Sequence, residues 1–244
     1  MRTQTRISLL AATTALLLCG CTRAINRSAE RRIRDALPDL LGSARDYRVH
    51  VENDPMRTVT GHLSRVRVDG DEVQMKNGLL IDSLHLMLTG VEVDTRRRIV
   101  TGVRSARFSA DFGEAAVDEY MAGEMAQQGS IRHPRVHFRA NNLVTLTAER
   151  TALGIGIPFT ITGPVSVASP TRIGLDPRHM TVVGLPLAGA PLRVLTSHFE
   201  HGLDLSSLPL PVSISSVNTT PGRLTLSGTA DAGAILRAAR QAQH

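Results

Sequence analysis

Residues 79–94 read LLIDSLHLMLTGVEVD, and this stretch constrains the fold most. Side chains of a strand alternate between two faces. Leu84, Leu86 and Leu88 fall on one face, and Ile81, Met87, Val91 and Val93 on the other. A strand apolar on both faces is expected to keep both out of water. One face then packs on the core, while a helix, a second sheet or an apolar ligand covers the other. Gly90 stands where a bulge is expected.

The period of two recurs along the chain. Tyr47, Val49 and Val51 alternate with Arg48 and His50, and Val66 and Val68 with Arg65 and Arg67. Ala106, Phe108, Ala110 and Phe112 share a face, as do Val136, Phe138 and Ala140, and then Val144, Leu146 and Ala148. Leu153, Ile155, Ile157, Phe159 and Ile161 make the longest alternating series. Val165, Val167, Ile173, Leu175 and Met180–Val183 continue the strand pattern. The last strands carry Val212, Ile214, Val217, Leu224 and Leu226, joined through residues 219–222. Asn141-Asn142 reads as a tight turn.

Helical spacing appears in few places. Ile25, Ala29, Ile33 and Leu37 recur every four residues, which predicts an amphipathic helix ending near Pro38. That helix docks on the domain or lies on a membrane. Residues 113–128 predict a second helix, with Val117, Tyr120, Met121 and Met125 on its apolar side. Glu114, Asp118 and Glu119 lie near its positive N-terminus. Residues 191–199 are a candidate third helix, and Asp231 caps a final one carrying Ile235, Leu236 and Ala239. Residues 25–244 thus read as one α+β domain rich in long antiparallel strands.

The first 21 residues are of another kind. Arg2 and Arg6 precede Ile7–Leu18, an apolar run of 12 residues, too short to span a bilayer and of the size of a signal-peptide core. It ends in Leu18-Cys19-Gly20-Cys21, which resembles the bacterial lipobox. The resemblance implies a signal peptide over 1–20, cleavage before Cys21, and a diacylglycerol thioether on that cysteine, with 21–24 as a tether. The chain is then a lipoprotein of the cell envelope, facing the periplasm or the exterior and held to the membrane by acyl (palmitate-type) chains. Each buried methylene contributes about 0.8 kcal/mol. Cys19 and Cys21 are the only 2 cysteines, so the mature domain would hold neither a disulfide nor a cysteine-based metal site.

Charge and composition exclude several classes. Without Arg2 and Arg6, 26 basic residues face 22 acidic ones, a surplus of 4, which is no basis for nucleic-acid binding. Aromatics at 3% argue against recognition by stacking on bases or sugars. No catalytic set emerges: Gly-x-Ser-x-Gly is absent, and Gly154-x-Gly156 lacks the third glycine and following helix of a dinucleotide site. His133 and His137 on a strand stand about 13 Å apart, too far to share a metal. His198 and His201 lack a third ligand, and Asp69, Asp71 and Glu72 read as a surface turn rather than a calcium loop. No enzyme activity, cofactor or metal is expected.

The order of helix, strands, helix, strands, together with residues 78–84, 88–94, 205–210 and 222–228, resembles the LmeA family of phospholipid-binding proteins over residues 25–230. The resemblance implies a long, highly curved antiparallel sheet wrapped around one or two helices, enclosing an elongated apolar groove. It supplies no catalytic residues. An aliphatic groove suits acyl chains, and a chain of about 16 carbons gains roughly 12 kcal/mol gross on burial. The expected lining is Leu84, Leu86, Leu88, Phe108, Phe112, Ile155, Ile157 and Phe159; the pattern leaves open which parity faces inward. The expected partners are phospholipid and, through Cys21, a membrane. The alternative is a scaffolding lipoprotein that offers a strand edge to another envelope protein.

Overall fold

The computed structural model describes residues 26–53, 57–58, 60–94, 99–128, 131–152, 155–187, 203–204 and 212–234. Helix α1 (residues 26–41) leads into four successive strands: β1 (Asp46–Glu52), β2 (His62–Gln74), β3 (Leu80–Asp94) and β4 (Ile99–Gly113). Helix α2 (Glu114–Gln128) follows. Then come β5 (Ile131–Phe138), β6 (Leu143–Ala152), β7 (Ile155–Ser169), β8 (Arg172–Leu175), β9 (His179–Val182), β10 (Leu185–Leu187) and β11 (Leu203–Asp204). The hairpin β12 (Val212–Thr220) and β13 (Arg223–Ala230) ends the strand series.

Among the described residues these strands make two antiparallel sheets. The first has the order β1-β2-β3-β4-β13-β12; the second runs β10-β9-β7-β6-β5, with β8 and β11 attached through β7. Neither is strongly curled, so the single highly curved sheet wrapped around helices is corrected to a mostly-β, two-sheet arrangement. The cause lies in the pairing. The free side of β4 is taken by β13 in an eight-pair register from Arg223↔Gly113 to Ala230↔Ala106. Strands β5–β11 are thereby shut out of the first sheet and pair among themselves.

The first sheet is apolar on one side. Cross-strand rows such as Val49, Val68, Leu86 and Phe108, or Val51, Val66, Leu88 and Ala106, run along its core face. The opposite face carries His50, Arg67, Met87 and Arg107 in one row and Arg48, Asp69, His85 and Ser109 in the next. The double-sided apolarity of β3 therefore needs no second cover. Its inward parity changes along the strand: Ile81 is buried, then Leu84 and Leu86, then Val91. The second change follows Gly90, whose φ of 59° is a backbone turn that swaps the side on which the next side chain projects; the first stands beside Glu72 of the paired strand β2, at φ 51°. Leu63, opposite Val91, is buried with it. The pairing does not slip at Gly90, as a bulge there would require; it slips between Glu92 and Val93.

Helix α1 docks on the domain. Leu37 and Leu41 are buried in the same core as Val49, Val66 and Val68, with Ala29 and Ile33 packed against it. It continues past Pro38, because Leu41 still gains by burial, and ends at Gly42. There φ is 119° and the N–H donates to Pro38 O at 3.0 Å. Tyr47 lays its ring over Gly70, where a Cβ would approach the ring to 2.9 Å, and donates its hydroxyl to Gly42 O at 2.8 Å.

In the second sheet Val136, Phe138, Val144 and Leu146 join the main core, while Ala148, Phe159, Ile161 and Met180 form a second cluster. Asn141 and Asn142, at φ 61° and 58°, make the expected turn between β5 and β6. Asp231 accepts the Gly233 N–H at 2.7 Å and starts a helix at 232–234. Ile235, Leu236 and Ala239 of the expected final helix, and the candidate helix at 191–199, lie outside the described residues.

Candidate lipid-binding site

The expected lining divides into two groups. Leu84, Leu86 and Phe112 are buried in the main core, and Leu88 and Phe108 are half-buried against it. They sit on one face of β3 and β4, with Leu86 directly opposite Phe108. Phe108 is held by its other neighbour: it pairs with Gly228 on β13, where a Cβ would stand 2.9 Å from the phenyl ring. Ile155, Ile157 and Phe159 lie on β7 in the second sheet, away from that row. Along β7 the exposure falls from Ile155 at 68% through half-buried Ile157 to Phe159 at 6% and Ile161 at 0%. The open end of this gradient stands at the same end of the sheet as the β9–β10 turn, where Val183 and Leu185 are 65% and 70% exposed. Cys21 lies outside the described residues.

Two of the sheet edges are met by one chemical device, a helix carboxylate. Edge strand β1 presents the Val51 N–H outward, and Glu30 of α1 accepts it at 3.0 Å. Edge strand β5 presents Val136 and Phe138, and Asp118 and Glu114 of α2 accept them at 2.6 and 2.8 Å. Glu114 and Asp118 are four residues apart and so share one helix face. The same two carboxylates reach His137 Nδ1 at 3.0 Å and Arg135 at 3.3 Å. The outer edge of β12 is engaged by the second sheet. Ile214 N–H donates to Pro170 O at 2.6 Å, Thr219 N–H to Asn142 Oδ1 at 3.0 Å, and the buried Thr219 hydroxyl to Arg139 O. A partner seeking an open strand thus meets helices or the other sheet at these three edges.

The polar candidates are engaged in pairs. Asp69 and Asp71 lie within β2, not in the surface turn expected of them; Asp69 contacts His85 at 2.6 Å and Asp71 contacts Arg48 at 2.9 Å. Glu72 pairs with Arg45 at 2.6 Å. His133 is at a positive φ of 53° beside an irregularity in the β5–β6 register. Gly156 continues strand β7 opposite Thr151; His198 and His201 are outside the described residues. Among the described residues no three His, Cys, Asp or Glu side chains stand close enough to hold a metal ion, and no helix is long and apolar enough to cross a membrane.

One concavity was not visible in the sequence. On the polar face of the first sheet, Arg67, Asp69, His85, Met87, Arg107 and Ser109, with Leu86 and Phe108 between them on β3 and β4, surround a depression of about 460 Å³. Its walls come from three neighbouring strands that register places side by side, Arg67↔Met87 and Met87↔Arg107. Residues 40 apart in the chain become neighbours only through that pairing.

A family model described as LmeA-like phospholipid-binding matches residues 21–229. The chain belongs to that family. No curated protein and no solved structure matches it. The match covers both sheets and both helices, and its description is one of lipid binding, with no catalytic family indicated. For an LmeA-like chain the two aliphatic clusters and the graded β7 face are the features that an acyl chain could use.

Proposed function

We propose that this LmeA-like protein is a lipoprotein of the cell envelope, anchored through Cys21, that binds phospholipid by its acyl chains and supports envelope lipid transport or assembly. The observation that carries this reading is the phospholipid-binding family match over residues 21–229. The apolar gradient along β7 supports it physically. An acyl chain entering past Ile155 and Ile157 would exchange water for aliphatic contacts, gaining about 0.8 kcal/mol per methylene without polar recognition. Leu88 and Phe108, half-buried at the edge of the main core, are the matching surface on the first sheet. Leu84, Leu86, Phe112 and Phe159 are the packed layer beneath. The engaged edges of β1, β5 and β12 weigh against the scaffolding alternative by strand addition.

Two experiments test this. Protein beginning at Thr22, purified without detergent, is subjected to native mass spectrometry and lipid extraction. Phospholipid bound in stoichiometric amount is the expected result; folded protein that stays empty after incubation with liposomes refutes lipid binding. Separately, Cys21→Ala in the full chain should release it from the membrane fraction, and unchanged membrane retention refutes the lipid anchor.

A further inference from the structure

The depression opens on the polar face of the first sheet, and Leu86 and Phe108 of the proposed acyl lining also border it. Its floor is Met87, and Arg67 and Arg107 stand on the strands to either side in the same cross-strand row. Neighbouring strands lie about 4.8 Å apart, so these two arginine backbones are separated by roughly 10 Å, a gap that two guanidinium groups bridge through one tetrahedral oxyanion. The next row brings His85 and Ser109 to the same hollow.

The charges around it are unevenly committed. Asp69, the carboxylate in the wall, is engaged by His85 Nδ1 at 2.6 Å, which leaves Nε2 on the side of the Ser83 hydroxyl at 3.2 Å. Glu52, the next nearest acid, is bonded to Arg65 at 2.7 Å and lies 3.6 Å from Arg67. The Arg65 hydrogen bond holds the Glu52 carboxyl below its usual range, so this acid stays committed to its own arginine. Arg107 has no ion pair or hydrogen-bonded partner among the described residues. Two guanidinium groups therefore face one carboxylate already in use, and the hollow is left with a positive surplus over an apolar floor.

We propose that this hollow is a second binding site, for a phosphate-class oxyanion carried by a free phosphate or by a phospholipid headgroup, with Arg107 and Arg67 as its ligands and Met87 beneath. Its arginine ligands stand on the face of the sheet opposite the apolar rows that hold Leu86 and Phe108. Arginine pairs suit phosphate oxygens because the planar fork donates two parallel hydrogen bonds.

The test uses the full chain in mild detergent with ¹³C-methyl methionine. The chain has 7 methionines, and Met87→Leu assigns the Met87 signal. Inorganic phosphate and dihexanoyl phosphatidylglycerol are titrated separately at constant ionic strength set with chloride. A saturable shift of the Met87 methyl is expected, weakened about tenfold in Arg107→Gln and in Arg67→Gln, the scale of one lost charge-assisted pair, and unchanged in Arg139→Gln. A response to phosphate alone assigns the site to a free oxyanion; a response only to phosphatidylglycerol assigns it to the headgroup. No response to either, or a midpoint in both arginine variants equal to that of the unaltered chain, overturns the proposal. Lipid extracted from Arg107→Gln reports on the acyl site separately, and its amount should match that of the unaltered chain.

Discussion

Asp118 ties α2 to the edge strand β5, and its removal should show how much one helix carboxylate contributes. Asp118 Oδ1 accepts the Val136 N–H at 2.6 Å and Oδ2 takes Arg135 at 3.3 Å, with the aspartate side chain 13% exposed. In Asp118→Ala the Val136 N–H loses its acceptor where its own side chain is buried. A hydrogen bond to a charged acceptor contributes about 1.5–3 kcal/mol. The surface pair with Arg135 adds little, since its guanidinium is largely in water. For a domain of about 200 residues, a loss of about 2–3 kcal/mol lowers Tm by roughly 5–10 °C. Asp118→Asn keeps an oxygen acceptor without the charge and should lose about half as much. Circular dichroism gives both Tm values, and hydrogen exchange gives the local effect, with Val136 exchanging at least about tenfold faster in the alanine variant. If Asp118→Ala melts within about 1 °C of the unaltered chain and the Val136 amide keeps its protection, the helix carboxylate is not what closes this edge, and the account of β5 is wrong.

Three further outcomes follow from the same structure. Gly228→Val should lower the urea midpoint by the equivalent of about 2–3 kcal/mol, because a Cβ there would meet Ser213 O at 2.1 Å and the Phe108 ring at 2.9 Å; an unchanged midpoint would show that Phe108 does not need the glycine. Ile157→Asp, at a half-buried position, should leave the chain folded and reduce extracted phospholipid severalfold, whereas Leu86→Asp buries a charge in the core and should first appear as lost stability; retained lipid in a folded Ile157→Asp refutes the β7 lining. Burial pushes the Tyr47 phenol up to about 12, above its unfolded value near 10, so the folded state holds that proton longer. The resulting stabilisation is complete below pH 10 and is lost as pH rises from 10 to 12; Tm should fall more over that interval in the unaltered chain than in Tyr47→Phe, and equal falls refute the assignment.

Much of the secondary structure was legible because period two is a local signal. The alternation at 47–51, 66–68, 106–112 and 155–161 lies in β1, β2, β4 and β7, and the acidic start of the 114–128 helix is where it was read. Pairing was not legible. Nothing in residues 223–230 says that they align with 106–113, yet that alignment closes the first sheet and sends β5–β11 into another. The helix end shows the same limit on a smaller scale: Pro38 weakens a helix locally, but burial of Leu41 in tertiary contact carries it to Gly42.

The candidate site shows why an apolar list is weaker than an apolar surface. Ile81, Val91 and Leu84 belong to both parities of one strand, and the sequence pattern assigned them to opposite sides of a sheet. All three are buried in one core, Val91 after the backbone turn at Gly90, so β3 does not require a ligand to shield a second face. What remains as a reason for a ligand is exposure, not parity. Ile155, Val183 and Leu185 stand in water at the end of a face that deepens into Phe159 and Ile161. An isolated exposed isoleucine would mean little. A row whose burial rises residue by residue along one strand face gives an acyl chain a continuous path from solvent to core, and that gradient appears only once the strand has been placed in its sheet.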